Sequence, residues 1–151
     1  MHRMYENDDI TVFWDSDKCR HSRVCVSGNS AVFNFARKPW VMLENGDNKS
    51  IWQIVERCPT KALTVTYNHD VKIVFEEENK RSVAILNGEI IGECDYAVTP
   101  EGFEVFHTEV RPGHEGKGIA KRLVFKVFEA AERSRQKIIA TCSYAKKVLE
   151  S

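Results

Sequence analysis

The sequence has no excess of either charge: 22 Lys and Arg stand against 22 Asp and Glu, so its 151 residues carry zero formal net charge. Bulk electrostatics therefore give no case for nucleic acid or an anionic membrane as partner, and any anion recognition has to be local. Long apolar runs are also missing. Residues 1–9 are polar and acidic without the apolar segment of a secretion signal. No later stretch is long enough to span a bilayer, so the expected location is the cytoplasm. There is no tight C-x2-C pair. The five cysteines, Cys19, Cys25, Cys58, Cys94 and Cys142, form an odd set without a secretion signal. That argues against a disulfide framework and favours metal or thiol chemistry. What is present, 42% hydrophobic and 29% charged residues, reads as one ordinary globular domain or two small ones.

The stretch His107 to Ala120, H-T-E-V-R-P-G-H-E-G-K-G-I-A, joins a strand, a glycine-rich turn and a helix. Phe103, Val105, Phe106 and Val110 make the run before it a β-strand, while Ile119, Leu123, Val127 and Ala131 recur at helical spacing from Lys117 to Arg133. Gly116 and Gly118 remove Cβ atoms where backbone approaches a ligand, and the first amides of a helix are unpaired, so the turn is a candidate pyrophosphate site. By itself a G-x-G turn is a weak signal, because any strand-to-helix turn favours glycine.

The order strand, V-x-P, G-x-G-I-A, amphipathic helix and second strand resembles the central motif of the GNAT acyltransferases. Val110, Pro112, Gly116, Gly118, Ile119 and Ala120 fill that pattern. The resemblance implies acetyl-CoA bound by Val110, Gly116, Lys117, Gly118, Ile119 and Ala120. One position departs from it: Glu115 stands where most of the superfamily has Arg or Gln, so either the carboxylate points away or affinity is modest. With Asn87-Gly88 as a hairpin turn and strands at Lys72–Glu76, Arg81–Leu86, Ile90–Val98 and Lys137–Cys142, residues 71 to 149 look like the minimal members of that superfamily. Those carry a histidine before the glycine turn and a cysteine past the following strand, here His107 and Cys142. As catalytic groups, His107 would be the base for an amine or for Cys142, and Cys142 a thiol nucleophile. As bystanders, His107 is a hydrogen-bonded strand residue and Cys142 a small apolar filler. Tyr144 is either the acid for the departing thiolate or a packed tyrosine. Cys94 reads as structural, and Lys146-Lys147 as a solvated helix face.

In the first half, Ile10 to Trp14 is rich in β-formers, and Asp47 to Arg57 reads as a helix capped by Asn48 or Ser50 with Ile51, Ile54 and Val55 on one face. Cys19 and Cys25 lie in a loop spaced C-x2-S-x2-C, and Cys58-Pro59 follows the helix. That layout is similar to a single-cluster ferredoxin frame with Ser22 in place of the middle cysteine. Together with His21, Val32-Phe33, Pro39-Trp40 and Cys58-Pro59-Thr60-Lys61-Ala62-Leu63, it resembles the divergent 4Fe-4S mono-cluster family. The resemblance implies an iron-sulfur cluster held by Cys19, Cys25 and Cys58, with His21, Ser22, an exogenous group or nothing as the fourth ligand. His21 is favoured. Zinc on the same residues, or inert buried cysteines, are the competing readings.

The expectation is an α+β chain of two modules, a small ferredoxin-like iron-sulfur module over 1–68 and a minimal GNAT mixed sheet with a helix crossover over 69–151. It implies transfer of acetyl from acetyl-CoA to an unidentified amine acceptor, with a redox partner for the cluster. The alternative is a non-enzymatic redox or sensing module whose second half only binds coenzyme A.

Overall fold

The computed structural model describes residues 2–20 and 22–150 and divides into two compact units, Met1–Tyr67 and Asn68–Ser151. His21 therefore lies outside the described residues.

The first unit is built on a three-stranded antiparallel sheet in the order β1-β2-β3, with β1 His2–Glu6, β2 Ile10–Asp15 and β3 Leu63–Tyr67. The β2 sequence alternates poorly because the strand is central: Ile10, Thr11, Val12 and Phe13 are all buried, so both faces meet protein. The Asn7 side chain accepts from Asp9 N and Ile10 N at 2.9 and 2.8 Å, which closes the β1–β2 turn. Two helices follow, α1 Val24–Gly28 and α2 Asn48–Glu56. The α2 cap is Asp47, whose side chain accepts from Ser50 N at 2.8 Å, rather than Asn48 or Ser50. Ile51, Ile54 and Val55 of α2 are buried against Val32, Phe33, Trp40, Val41 and Leu43. At about 1.5–3 kcal/mol per buried aliphatic side chain, that face fixes α2 and the cysteine at its end. The guanidinium of Arg37 donates to the carbonyls of Ala31, Val32, Pro39 and Trp40, tying the 31–40 loop to itself.

The second unit is a five-stranded sheet, β4 Lys72–Glu76, β5 Arg81–Leu86, β6 Glu89–Thr99, β7 Gly102–Val110 and β8 Ile138–Ala140, with neighbours in chain order. The first four strands are antiparallel, and β8 pairs parallel with β7 after the crossover helix α3 Ile119–Arg133. Asn87 and Gly88 have φ of 51° and 81°, the left-handed pair that a two-residue hairpin requires. Leu123, Val124, Val127, Phe128 and Ala131 are buried along α3, and the Ser82 hydroxyl donates to Leu123 O at 2.8 Å, fastening the helix to β5. A last helix, α4 Ser143–Glu150, exposes Lys146 and Lys147. The fold is thus mixed α+β, with two sheets and four α-helices among the described residues. No helix among them is long and apolar enough to cross a membrane.

Arg122 is 1% exposed, and its guanidinium donates to Asn68 O at 3.3 Å and Val71 O at 2.9 Å. The cation thereby pins the turn that opens β4 to α3. Arg122→Met keeps the stem and removes the donors. It is expected to lower stability by about 2–3 kcal/mol, the worth of hydrogen bonds from a charged donor. Urea unfolding followed by circular dichroism measures this, and an unchanged midpoint would show that the contacts contribute nothing.

Candidate functional site

Each unit carries one candidate site. In the first, three different elements deliver the cysteines. Cys19 follows a single 3-10 turn, Ser16–Lys18, capped by the Asp15 carboxylate accepting from Asp17 N at 3.1 Å. Cys25 sits in the first turn of α1. Cys58 closes α2, its N–H donating to Val55 O at 3.1 Å. Helix α1 packs so tightly on α2 that a Cβ at Gly28 would stand 2.9 Å from Ile54 Cγ1. Cys19, Cys25 and Cys58, all half-buried, line one pocket with Trp14, Phe35, Trp40 and Leu63, about 370 Å³ of empty space including solvent at its mouth. Burial pushes the Cys25 thiol above its ordinary value, and nearby Cys19 and Cys58 add to the shift.

Among the described residues no three His, Cys, Asp or Glu side chains are grouped so as to hold one metal ion. Zinc needs its ligands to converge on one point, whereas a cluster takes each thiolate on a different iron. Thiols at three places around one pocket are compatible with ligands to separate irons. A second observation agrees: the indole nitrogens of Trp14 and Trp40 are buried with no hydrogen-bond partner among the described residues. An orphaned buried donor costs about 1–3 kcal/mol unless an occupant accepts from it.

In the second unit the site begins where β7 and β8 part. Their parallel pairing runs only from Phe103 with Ile138 to Val105 with Ala140. Thr141 N and Cys142 N both then donate to Val105 O, at 3.0 and 3.1 Å, and the chain turns into α4. Beyond Val105, strand β7 continues to Val110 paired with β6 but with no strand on its other side. At the far end of β7, Gly116 and Gly118 adopt φ of 75° and 73°, and Gly118 is the cap residue of α3. A Cβ at Gly116 would meet no atom within 4 Å, so backbone conformation rather than crowding demands glycine there. A pocket of about 770 Å³ of empty space is lined by Thr108, Val110, Glu115, Gly116, Gly118, Ile119, Ala120 and Tyr144. Val110, Gly116, Gly118, Ile119 and Ala120 thus share one cavity, while Lys117 does not line it. Glu115 does line it, although its side chain is exposed. Burial raises the Tyr144 phenol above its ordinary value, which keeps its proton in place.

The expected pairing of His107 with Cys142 is corrected by strand register. A bulge in β7 leaves Phe106 without a partner, since Asp95 pairs with His107 and Tyr96 with Val105. Thr108 then faces α3, its hydroxyl 3.5 Å from both Cys94 Sγ and Cys142 Sγ. Cys142 Sγ also accepts from Ala145 N at 3.2 Å, capping α4. His107 points to the opposite face, as alternation requires. There it is half-exposed, with Nε2 3.4 Å from Glu109. Asp95 across the pair is pushed up to about 6, by burial first and then by the neighbouring Glu93 carboxylate. Cys94 is fully buried, and burial pushes its thiol up to about 12, so it stays protonated.

Residues 5–69 match the family described as a divergent 4Fe-4S mono-cluster, and residues 81–151 the family described as a GCN5-related N-acetyl-transferase. The two matches stand in series, a divergent 4Fe-4S mono-cluster domain followed by a GNAT-like acetyltransferase domain. It is 37% identical over 68 residues to the uncharacterized protein YjdI of Escherichia coli K12, and equally to that of Escherichia coli O157:H7, covering 45% of this chain and 87% of theirs. A crystal structure of ribosomal-protein-alanine N-acetyltransferase from Brucella melitensis biovar Abortus 2308 shares 26% identity at a TM-score of 0.41. That match spans 46% of this chain and 59% of the other, less than two thirds of its length.

Replacing Gly118 with Glu puts a side chain into a left-handed cap position and a carboxylate at the helix terminus. If the α3 terminus is an anion site for acetyl-CoA, calorimetry is expected to show binding weakened by at least about tenfold, the effect of a misplaced charge worth about 1.4 kcal/mol or more. Unchanged affinity in a folded Gly118→Glu protein would remove the anion site from α3.

Proposed function

We propose that the second unit transfers acetyl from acetyl-CoA to an amine, and that the first holds an iron-sulfur cluster on Cys19, Cys25 and Cys58. The observation that carries the enzymatic reading is the cavity that joins the α3 N-terminus, Tyr144 and the gap beside β7. The unpaired amides after Gly118 would bind pyrophosphate, and the thioester would lie along the edge of β7 freed below Val105.

On the other face of β7, His107 lies amid Asp95 and Glu109, with Glu93 beside Asp95. Arg81 pairs with Glu93 at 3.6 Å, and the carboxylates of Asp95 and Glu109 that remain suit a cationic acceptor. His107 takes a proton from the ammonium, the amine nitrogen bonds to the thioester carbon and the carbon–sulfur bond breaks; Tyr144 gives its proton to the leaving thiolate, and the second proton of the amide nitrogen passes through water to the Tyr144 phenolate. Direct transfer is favoured over a relay through Cys142, because that sulfur already accepts the Ala145 amide and touches the Thr108 hydroxyl. A cluster on the three cysteines would supply one-electron chemistry. His21 is the proposed fourth ligand.

Release of coenzyme A, measured with a panel of primary amines, separates these roles. His107→Ala is expected to cost about 10²-fold or more in rate, the usual worth of a general base, and Cys142→Ala only a few-fold. An acetyl thioester on Cys142, found by peptide mapping after a quench without acceptor, would establish the relay instead. Binding of acetyl-CoA without turnover for any amine would favour the module that only binds coenzyme A.

A further inference from the structure

We propose that the indole N–H groups of Trp14 and Trp40 donate hydrogen bonds to sulfur atoms of the cluster, and that these two rings thereby set its reduction potential. The inference rests on the reading that the three-cysteine pocket holds a cluster.

Trp40 is 7% exposed, and both rings form walls of the cysteine pocket. They meet edge to face, with centroids 5.0 Å apart and planes at 63°. Phe35 stacks on Trp40 at 4.6 Å. Both Nε1 atoms are buried and lack an acceptor among the described residues. An indole nitrogen can only donate, so each needs an acceptor that the described protein does not provide. Two orphans in the wall of one pocket are rare by chance, since buried donors in native proteins are nearly always paired. On this reading the missing acceptor belongs to the occupant.

The chemistry of that acceptor follows from the thiols. A group bound by Cys19, Cys25 and Cys58 presents sulfur to the walls, either its bridging sulfides or the ligating thiolates, and both carry negative charge. The remaining wall is mixed: Val24, Phe35, Ala62 and Leu63 are apolar, Ser22 and Thr60 bring hydroxyls that make no hydrogen bond to either indole, and Arg20 and Arg23 bring positive charge. In such surroundings an N–H dipole aimed at sulfur stabilises the reduced, more negative state over the oxidised one. Hydrogen bonds to the sulfurs are among the levers that set a cluster's potential.

The test uses the full chain, reconstituted anaerobically with ferrous iron and sulfide and grown with tryptophan labelled with nitrogen-15 at the indole. In the reduced, paramagnetic protein, pulsed electron paramagnetic resonance is expected to show indole nitrogen couplings and exchangeable protons that vanish in heavy water. Trp14→Phe and Trp40→Phe should each remove one coupling and move the midpoint potential to more negative values at unchanged iron and sulfide content. Loaded wild-type protein without indole coupling would overturn the inference while leaving the cluster intact, and would place the N–H groups on the neighbouring ring faces. Variants with wild-type potential would overturn it equally. If a Phe variant does not fold, the wild-type couplings decide. A chain that takes up no iron and sulfide would overturn the cluster reading itself, a distinguishable failure.

Discussion

The carbonyl of Val105 accepts from two successive amides, Thr141 N and Cys142 N, and the architecture of the second site depends on that shared acceptor. It ends the β7–β8 pairing after three residues, because the next amides of the chain are already committed and turn into α4. Strand β7 runs on for five residues with no strand paired on that side. Its unpaired edge is the polar wall an extended ligand requires, and α3 sets its N-terminal amides at the strand's far end. One hydrogen-bonding choice thus relates the gap, the helix terminus and Tyr144.

In the first unit the constraint is packing. Cys58 is held because Ile51, Ile54 and Val55 bury α2 in the core. Cys25 is held because Gly28 lets α1 sit against Ile54 without a Cβ between them. Neither cysteine is placed by its own chemistry. The positions of Cys25 and Cys58 are consequently a property of the core around them.

Much of this was legible in the sequence where periodicity or turn chemistry speaks. The hairpin at Asn87-Gly88, the strands from Lys72 to Val110, helices α2 and α3, and the glycine turn at Gly116 and Gly118 all follow from apolar spacing and glycine. Strand β1 was not, since His2, Arg3 and Glu6 carry no strand signature and the strand exists through its ladder with β2. The partner of Cys142 was missed for a related reason. Phe106 looks like any strand residue, and only the ladder shows that it bulges and so exchanges the faces of His107 and Thr108. Lys117 fits the motif yet lies off the cavity, because side-chain direction at a helix start is not encoded in spacing. The orphaned indoles have no sequence signature, as satisfaction of a donor is a property of its surroundings alone.

The central claim is that one polypeptide carries a three-cysteine cluster site and a separate coenzyme site. Native mass spectrometry of the anaerobically reconstituted full chain, with and without acetyl-CoA, tests it most directly. The account predicts a mass increment for iron and sulfide together and a further increment for the coenzyme, with Cys58→Ser losing the first and keeping the second. A zinc increment in place of iron and sulfide, or a chain that gains no mass from acetyl-CoA, would contradict it.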